Sequence, residues 1–148
     1  MANRDPKQCA QAVNDFWNIE REHVRDGKGS RDWTPEQQEA IMNRKADGTE
    51  RASAGVPKDE NGKSYEGHHM KSVEAYPEYQ ADSDNIQPLT YDEHRAAHNG
   101  NTRNPTNGYY NPETGKTNDF GTNAPSKPEP ENLSQSTQGQ EEGQEQGM

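Results

Sequence analysis

The stretch EGHHMKSVEAYPEYQADSDNIQPLTYDEHRAAHNG, residues 66–100, decides the fold of this chain. It contains four of the five histidines in the sequence: an adjacent pair, His68 and His69, and two residues four apart, His94 and His98. Clustered histidines are candidate metal ligands, because imidazoles on neighbouring elements can reach one ion. The second pair taken alone is more often a solvated or structural pair, so the surrounding sequence has to decide between the two interpretations.

Local signals place the second pair of histidines on a short helix. Thr90 and Glu93 form a capping box, which predicts a helix that begins at Thr90. The Asn-Gly pair at residues 99–100 predicts the end of this helix. Side chains four apart lie on one face of a helix, so His94 and His98 can bind a single ion.

The rest of the stretch is typical of a hairpin. Residues 84–90 predict a short strand, which Pro88 limits to a sheet edge. His68 and His69 fall on the strand that precedes the loop, so the predicted order is strand, loop, strand, helix within a small α+β fold. Adjacent strand residues point to opposite faces, and this pattern leaves open which of the two histidines is a ligand.

These elements together resemble the HNH nucleases of the ββα-metal fold. Glu66-Gly67-His68-His69 is similar to the signature of the GHH subgroup of bacterial polymorphic toxins, which is related to the colicin DNases. Asn85, His94 and His98 follow at matching positions, and the resemblance covers residues 31–115. It implies a ββα-metal module preceded by N-terminal helices.

The resemblance assigns a role to each histidine. His68, His94 and His98 would bind one divalent metal ion, and His69 would be the general base that takes a proton from the attacking water. The implied activity is endonucleolytic hydrolysis of DNA that leaves a 5′-phosphate and a 3′-hydroxyl. A nuclease toxin of this kind also implies a cognate immunity protein as a partner.

The resemblance assigns supporting roles to two polar residues of the same stretch. Asn85 would pin the loop between the strands through its amide and hold His69 in register. Glu66 would orient a metal ligand or a phosphate-contacting arginine. Taken from the sequence alone, Asn85 is equally well an ordinary turn residue, and Glu66 is more often a plain surface carboxylate than a functional one.

General chemistry is consistent with these roles. Phosphodiester hydrolysis needs a base that titrates near neutrality, and imidazole does so at about 6.5. A metal supplies positive charge where the leaving oxygen becomes negative. Three histidine ligands leave coordination positions open and favour zinc, nickel, cobalt or manganese over magnesium. A ribonuclease would use the same motif, and a non-catalytic module would use the ion only to stabilise its fold.

The sequence outside this stretch predicts two more helices. Residues 5–25 carry apolar side chains at helical spacing. Thr34-Pro35-Glu36-Gln37 has the residues of a capping box, with proline at the first helical position, and predicts a second helix that runs to Gly48. A loop is expected over residues 48–63, and a further helical turn is expected within residues 71–79, before Pro77.

The last 28 residues, 121–148, are rich in Glu, Gln, Gly and Pro and predict a disordered acidic tail. The expected organisation is therefore a helical segment at residues 1–30, a nuclease domain at residues 31–120 and the tail. Only 24% of the residues are apolar, which excludes a large core. We expect no signal peptide and no membrane segment, and hence a protein of the cytoplasm or one exported by a toxin-delivery system.

Net charge conflicts with a nucleic-acid partner, because phosphate binding depends on lysine and arginine. The whole chain carries a net charge of −10, and residues 61–120 hold five basic against nine acidic side chains. One hypothesis is a local basic patch formed by Lys63, Lys71, Arg95 and Arg103. The alternative is that the acidic tail occupies the cleft as a mimic of nucleic acid.

Overall fold

The computed structural model describes residues 4–44 and 55–133. Within these ranges it contains three α-helices and small antiparallel sheets of two strands each, so the predicted α+β class is confirmed. The helices are α1 (Pro6–Arg25), α2 (Pro35–Met42) and α3 (Tyr91–Ala97). The strands are β1 (Lys28–Gly29), β2 (Glu66–His69), β3 (Ile86–Leu89), β4 (Gly108–Asn111), β5 (Lys116–Asp119) and β6 (Glu131–Asn132). None of the helices described is long and apolar enough to cross a membrane.

The chain divides into two compact units. The first unit comprises Met1–Phe16 and Lys58–Lys127, and the second comprises Trp17–Pro57 and Pro128–Met148. Each unit is therefore built from two separate stretches of sequence. All four histidines of the 66–100 stretch belong to the first unit.

The first unit is organised around the hairpin of β2 and β3. The two strands pair antiparallel, with Glu66 opposite Leu89 and His69 opposite Ile86. Helix α3 follows at once, because Thr90 caps it with the predicted box: Thr90 Oγ1 accepts a hydrogen bond from the Glu93 N–H and the Glu93 carboxylate accepts one from the Thr90 N–H. The helix ends where Asn99 and Gly100 adopt φ of 56° and 90°.

Helix α1 packs closely on this hairpin at Gly67. A Cβ atom built on Gly67 would lie 2.9 Å from a methyl carbon of Val13 and 3.3 Å from Cγ2 of Ile86. A side chain at this position would push the helix away from the strand. The glycine of the Gly-His-His sequence is thus required by packing, and the two histidines that follow it are held at a fixed distance from the helix.

A second hairpin, β4 and β5, was not foreseen from the sequence. Its strands pair Gly108 with Asp119 and Asn111 with Lys116, around a turn closed by a hydrogen bond from the Gly115 N–H to the Asn111 carbonyl. The buried side chain of Gln87 links it to β3, since its amide donates to the Tyr110 carbonyl at 2.5 Å and accepts from the Tyr110 N–H at 3.1 Å. The cluster of Leu89, Ala97 and Tyr110 is buried beside this link.

The second unit has a small core around two tryptophans. Trp17 and Trp33 are each 1% exposed, with ring centroids 6.0 Å apart. The carboxyl group of Glu20 is buried with them. Helix α2 begins at the predicted capping box of Thr34 and Gln37.

Helix α2 is shorter than predicted. It ends at Met42 rather than at Gly48, and Gly48 lies outside the described residues. Arg44, expected in the helix, is instead buried with its Nε donating to the side chain of Asn18 at 2.9 Å. This tertiary contact competes with continuation of the helix.

The loop prediction agrees for residues 55–63, where no helix or named strand occurs. In the later segment a backbone hydrogen bond from Tyr76 to Ser72 closes one turn, and a 3-10 helix covers Pro77–Tyr79. That helix begins at the proline instead of ending before it, because proline suits a first helical position.

The structure describes residues 121–133 of the predicted tail. Glu131–Asn132 forms β6 and pairs with β1, and Leu133 is only 6% exposed. The Leu133 N–H also donates to the Gly27 carbonyl at 2.8 Å. The rest of the predicted tail, residues 134–148, lies outside the described residues.

Candidate metal centre

Three histidines from two elements converge in the first unit. β2 supplies His68, and α3 supplies His94 from its last turn and His98 at its C-terminal cap. Their ring centroids form a nearly equilateral triangle, with separations of 4.9, 5.0 and 5.0 Å. One nitrogen from each ring lies within 4.8 Å of the others, which is close enough for the three imidazoles to share one ion.

Hydrogen bonds fix the orientation of the two helical rings. Nδ1 of His94 lies 2.7 Å from Oε1 of Glu66, and Nδ1 of His98 lies 2.7 Å from the carbonyl oxygen of Asn104. A carbonyl can only accept a hydrogen bond, so Nδ1 of His98 carries the proton and its Nε2 keeps a free lone pair. The Asn104 side chain donates back to the His98 carbonyl at 2.8 Å, which holds the loop after α3 against the ring.

The third ring, that of His68, is the most deeply buried. His68 is 1% exposed, and its Nδ1 is the buried side-chain nitrogen or oxygen that lacks a hydrogen-bond partner within residues 4–44 and 55–133. Burial lowers the pKa of His68 well below 6.5, and the nearby His94 and His98 lower it further. Burial likewise lowers the pKa of His98. Both rings are therefore held in the neutral form that binds metals.

These residues fit a divalent metal ion. Leaving a buried ring nitrogen without a partner costs free energy, and an ion bound between the three rings removes that cost. The donor set of three imidazole nitrogens suits zinc, nickel, cobalt or manganese better than magnesium. The carboxylate of Glu66 and the carbonyl of Asn104 occupy the outer positions that usually orient histidine ligands.

His69 lies next to the cluster but outside it. Its Nε2 is 3.0 Å from the carbonyl oxygen of Gln80, so the proton sits on Nε2 and the lone pair on Nδ1. Burial lowers the pKa of His69, opposed by the Gln80 hydrogen bond, and the nearby charge of Arg4 lowers it further. A neutral imidazole with a free Nδ1 can accept a proton.

Asn85 joins the two ends of the loop between β2 and β3. It is fully buried, and its amide accepts from the Lys71 N–H at 2.8 Å and donates to the Lys71 carbonyl at 3.0 Å. Its backbone carbonyl accepts a further bond from the Met70 N–H. These bonds hold Met70 and Lys71, the two residues that follow His69 in the chain.

A cleft of about 290 Å³ opens beside the histidines. Four histidines line it, together with charged and polar residues from separate parts of the first unit: Arg4, Ser72, Glu74, Thr102, Arg103 and Asn104. Two arginines thus face one glutamate in the cleft, although the surrounding sequence is acidic. The local charge differs from the net charge because folding selects which side chains reach the site.

The four basic residues predicted to contact nucleic acid occupy different places. Arg103 lines the cleft and is exposed. Lys63 and Arg95 are exposed and lie near the Tyr91 ring, 4.5 and 5.7 Å from its centroid.

Lys71 is placed differently from the other three. It is 1% exposed, and its ammonium donates to the Asn107 side chain at 2.8 Å and to the Gly121 carbonyl at 3.2 Å. Its Nζ also lies 4.4 Å from the centroid of the Tyr76 ring. An ammonium held by these contacts does not reach the surface where a phosphate would lie. Lys71 is therefore not among the phosphate contacts that we propose.

Sequence patterns did not identify the partners that orient His69 and His98. Gln80 and Asn104 contribute backbone carbonyls, which every residue has, so residue type gave no signal. Arg4 was missed because it lies 64 positions before His68 in the chain. Only the packing of α1 on the hairpin brings these regions into one cleft.

One family model matches the chain. It describes a GHH-signature-containing nuclease toxin of the HNH/Endo VII superfamily and matches residues 7–51, which confirms the resemblance to that family over this segment. The matched segment contains α1 and α2 and ends before the four clustered histidines. No curated protein and no solved structure matches the chain. The match and the histidine cluster are thus independent observations on different residues.

Proposed function

Proceeding from the match to a family of nuclease toxins, we propose that this protein is a metal-dependent endonuclease that hydrolyses DNA on a ββα-metal module. The observation that carries the proposal is the triangle of His68, His94 and His98, with a buried ring nitrogen left for an ion and a fourth histidine beside it. The proposal is supported by the succession of β2, β3 and α3 along the chain, with His68 on β2 and His94 on α3.

The residues divide into holding and proton-transfer roles. His68, His94 and His98 hold the ion, and zinc, nickel, cobalt or manganese suits them. When bound, the ion supplies positive charge that stabilises negative charge on the scissile phosphate and the leaving oxygen. Glu66 orients His94 through the 2.7 Å contact to Nδ1.

His69 is the general base in this proposal. Its Nδ1 takes a proton from a water molecule, and the Gln80 carbonyl stabilises the imidazolium that results, because it already accepts the Nε2 proton. Asn85 holds the loop on which this geometry depends. Arg103 lies in the same cleft and binds a phosphate of the strand being cut.

The test is cleavage of supercoiled plasmid by the full-length protein supplied with zinc, nickel, cobalt or manganese in turn. We expect nicking and linearisation that a chelator abolishes. His69→Ala should lower the rate by roughly 10²–10⁴-fold, the usual contribution of a general base. His23→Ala is the matched control, because His23 lies on α1 outside the cleft lining, and it should cut at the wild-type rate.

Each other outcome changes the proposal. A His69→Ala variant that cuts as fast as the wild type removes His69 as the base. Cleavage of RNA but not of plasmid makes the protein a ribonuclease on the same site. Absence of any cutting, with a chelator that unfolds the protein, identifies a non-catalytic module that uses its ion for stability.

Delivery as a toxin predicts a further partner. The matching family is one of nuclease toxins, and a cell that makes such an enzyme needs protection from it. We propose a cognate immunity protein for this chain. Expression in a bacterial cell should stop growth unless the site is inactivated, and His69→Ala should restore growth.

A further inference from the structure

Gln80 connects the candidate base to the start of the chain. It lies in the loop between β2 and β3 and is 5% exposed. Its backbone carbonyl accepts from Nε2 of His69 at 3.0 Å. Its side-chain Oε1 accepts from the backbone N–H of Asp5 at 2.7 Å and lies 3.7 Å from Sγ of Cys9. One buried residue therefore contacts both His69 and the N-terminal segment.

The N-terminal segment is anchored at Asp5. The Asp5 side chain accepts from the Lys7 N–H at 2.9 Å and its carbonyl accepts from the Cys9 N–H, so Asp5 forms the start of α1. Its own N–H points away from these helical bonds and is used by Gln80. The hydrogen bond to Gln80 thus fixes the direction in which the chain leaves the helix towards Arg4.

The chain direction set by the Asp5–Gln80 hydrogen bond places Arg4 in the lining of the cleft, beside His68 and His69. The side chain is exposed, and its positive charge acts on His69. Arg103 lines the same cleft from the loop after α3. Two guanidinium groups on a cleft that also holds the metal ligands are suited to adjacent phosphates of one strand, since arginine binds phosphate through paired N–H donors.

We propose that Arg4 is a phosphate-binding residue of this cleft and that Gln80 is the positioning residue that holds it there through Asp5. The inference rests on the proposed nuclease function, because it assumes a polynucleotide in the cleft. It adds a cation from outside the acidic 61–120 segment. Arg4, which lies 64 positions before His68 in the chain, thereby becomes part of the proposed substrate site.

The experiment measures binding of a short DNA duplex by fluorescence anisotropy. The protein is the full chain loaded with zinc and carrying His69→Ala, so that bound duplex is not cut. Arg4→Ala should weaken binding roughly tenfold, the equivalent of one charge-assisted hydrogen-bonded contact. It should also reduce the slope of log affinity against log salt concentration by about 1, the loss of one phosphate contact.

Gln80→Met should reproduce both effects, because methionine fills the same space without a comparable acceptor for the Asp5 N–H. Combining it with Arg4→Ala should weaken binding no further, since both changes remove the same contact. Lys7→Ala is the matched control: Lys7 is an exposed cation of the same segment that does not line the cleft, and its loss should change affinity less than twofold.

The outcomes separate this inference from the proposed function. Failure of the parent protein to bind DNA contradicts the nuclease proposal itself. Binding that Arg4→Ala leaves unchanged, or additive losses from Arg4→Ala and Gln80→Met, overturns the inference alone. Amide hydrogen exchange of Asp5 tests the link without any substitution: slow exchange in the wild type is expected, and fast exchange rejects the role of Gln80.

Discussion

Glu20 and His68 are equally buried, at 1% exposure each, but their surroundings differ. One carboxyl oxygen of Glu20 accepts from the Trp33 Nε1–H at 2.6 Å, the Ser30 N–H at 2.8 Å and the Ser30 hydroxyl at 2.9 Å. His68 has a buried Nδ1 for which the described residues provide no partner. The Glu20 carboxylate is thus satisfied by the protein itself, whereas Nδ1 of His68 is the atom for which we propose a metal ion.

The difference distinguishes a buried polar group that has partners within the protein from one that we propose binds an ion. A buried polar atom costs free energy unless it is hydrogen-bonded, so an unpaired one calls for an explanation such as a bound ion. Burial by itself therefore does not mark a site in this protein. The hydrogen-bond partners of a buried side chain are more informative than its burial. Substituting Glu20 and His68 in turn tests the two groups.

The largest effect on stability is expected from Glu20→Ala. Truncation leaves the Trp33 Nε1–H and the Ser30 N–H without their acceptor, at a cost of about 1–3 kcal/mol for each buried donor. We expect the free energy of unfolding to fall by roughly 3 kcal/mol. Urea unfolding followed by tryptophan fluorescence measures this loss, because Trp17 and Trp33 lie beside the carboxyl group.

Glu22→Ala is the matched control for this change. Glu22 lies on the same helix but is exposed, paired with Arg21 and Arg25 at the surface. Exposed ion pairs contribute about 0–1 kcal/mol, so this variant should stay close to the wild type. Equal effects of the two substitutions would mean that the buried network around Glu20 does not stabilise the fold.

Zinc should sharpen the comparison, because it should bind at the site that contains His68 and not near Glu20. An ion that binds only the folded protein stabilises it by about 2.7 kcal/mol when its free concentration is 100 times its dissociation constant. We expect that increase for the metal-stripped wild type and none for His68→Ala. Thermal unfolding followed by circular dichroism, with and without zinc, measures both.

His23→Ala serves again as the control, since it removes a histidine from α1 without touching the cluster. It should respond to zinc as the wild type does. Zinc stabilisation that persists in His68→Ala would place the ion at other residues. Glu20→Ala, although less stable, should still gain the full increment, because Glu20 is not among the clustered histidines.

Residues that act through local structure were predictable from the sequence. The capping boxes at Thr34 and Thr90 depend on residues three positions apart, and both form as expected. The hairpin and helix then bring His68, His94 and His98 together, because spacing along each element fixes where its side chains point. Short-range rules thus account for the convergence of three histidines from one stretch of 35 residues, whereas the choice of His68 over His69 as a ligand came from the resemblance alone.

Residues that act through tertiary contacts were not predictable in this way. Arg44 leaves the expected helix because Asn18 offers its side chain a partner. Leu133 lies in the expected tail but is buried, and the residues before it, Glu131–Asn132, pair with β1. Lys71 is buried because Asn107, Gly121 and a tyrosine ring satisfy its ammonium. Each case depends on a partner distant in sequence, which composition and periodicity do not reveal.

The smallest effect, and a matched pair, is expected from the two caps. Thr34→Ala and Thr90→Ala each remove a side-chain acceptor from a helix start, which costs about 1 kcal/mol. Only α3 carries His94 and His98, so only Thr90→Ala should also weaken zinc binding. If the lost cap energy is fully coupled to the ion, the affinity falls roughly fivefold. Competition with a chromogenic zinc chelator measures it, and Thr90→Ser should restore the wild-type value by keeping the hydroxyl. Equal zinc affinities for Thr34→Ala and Thr90→Ala would show that the histidine triangle is held by the bonds of Glu66 and Asn104 rather than by the helix start.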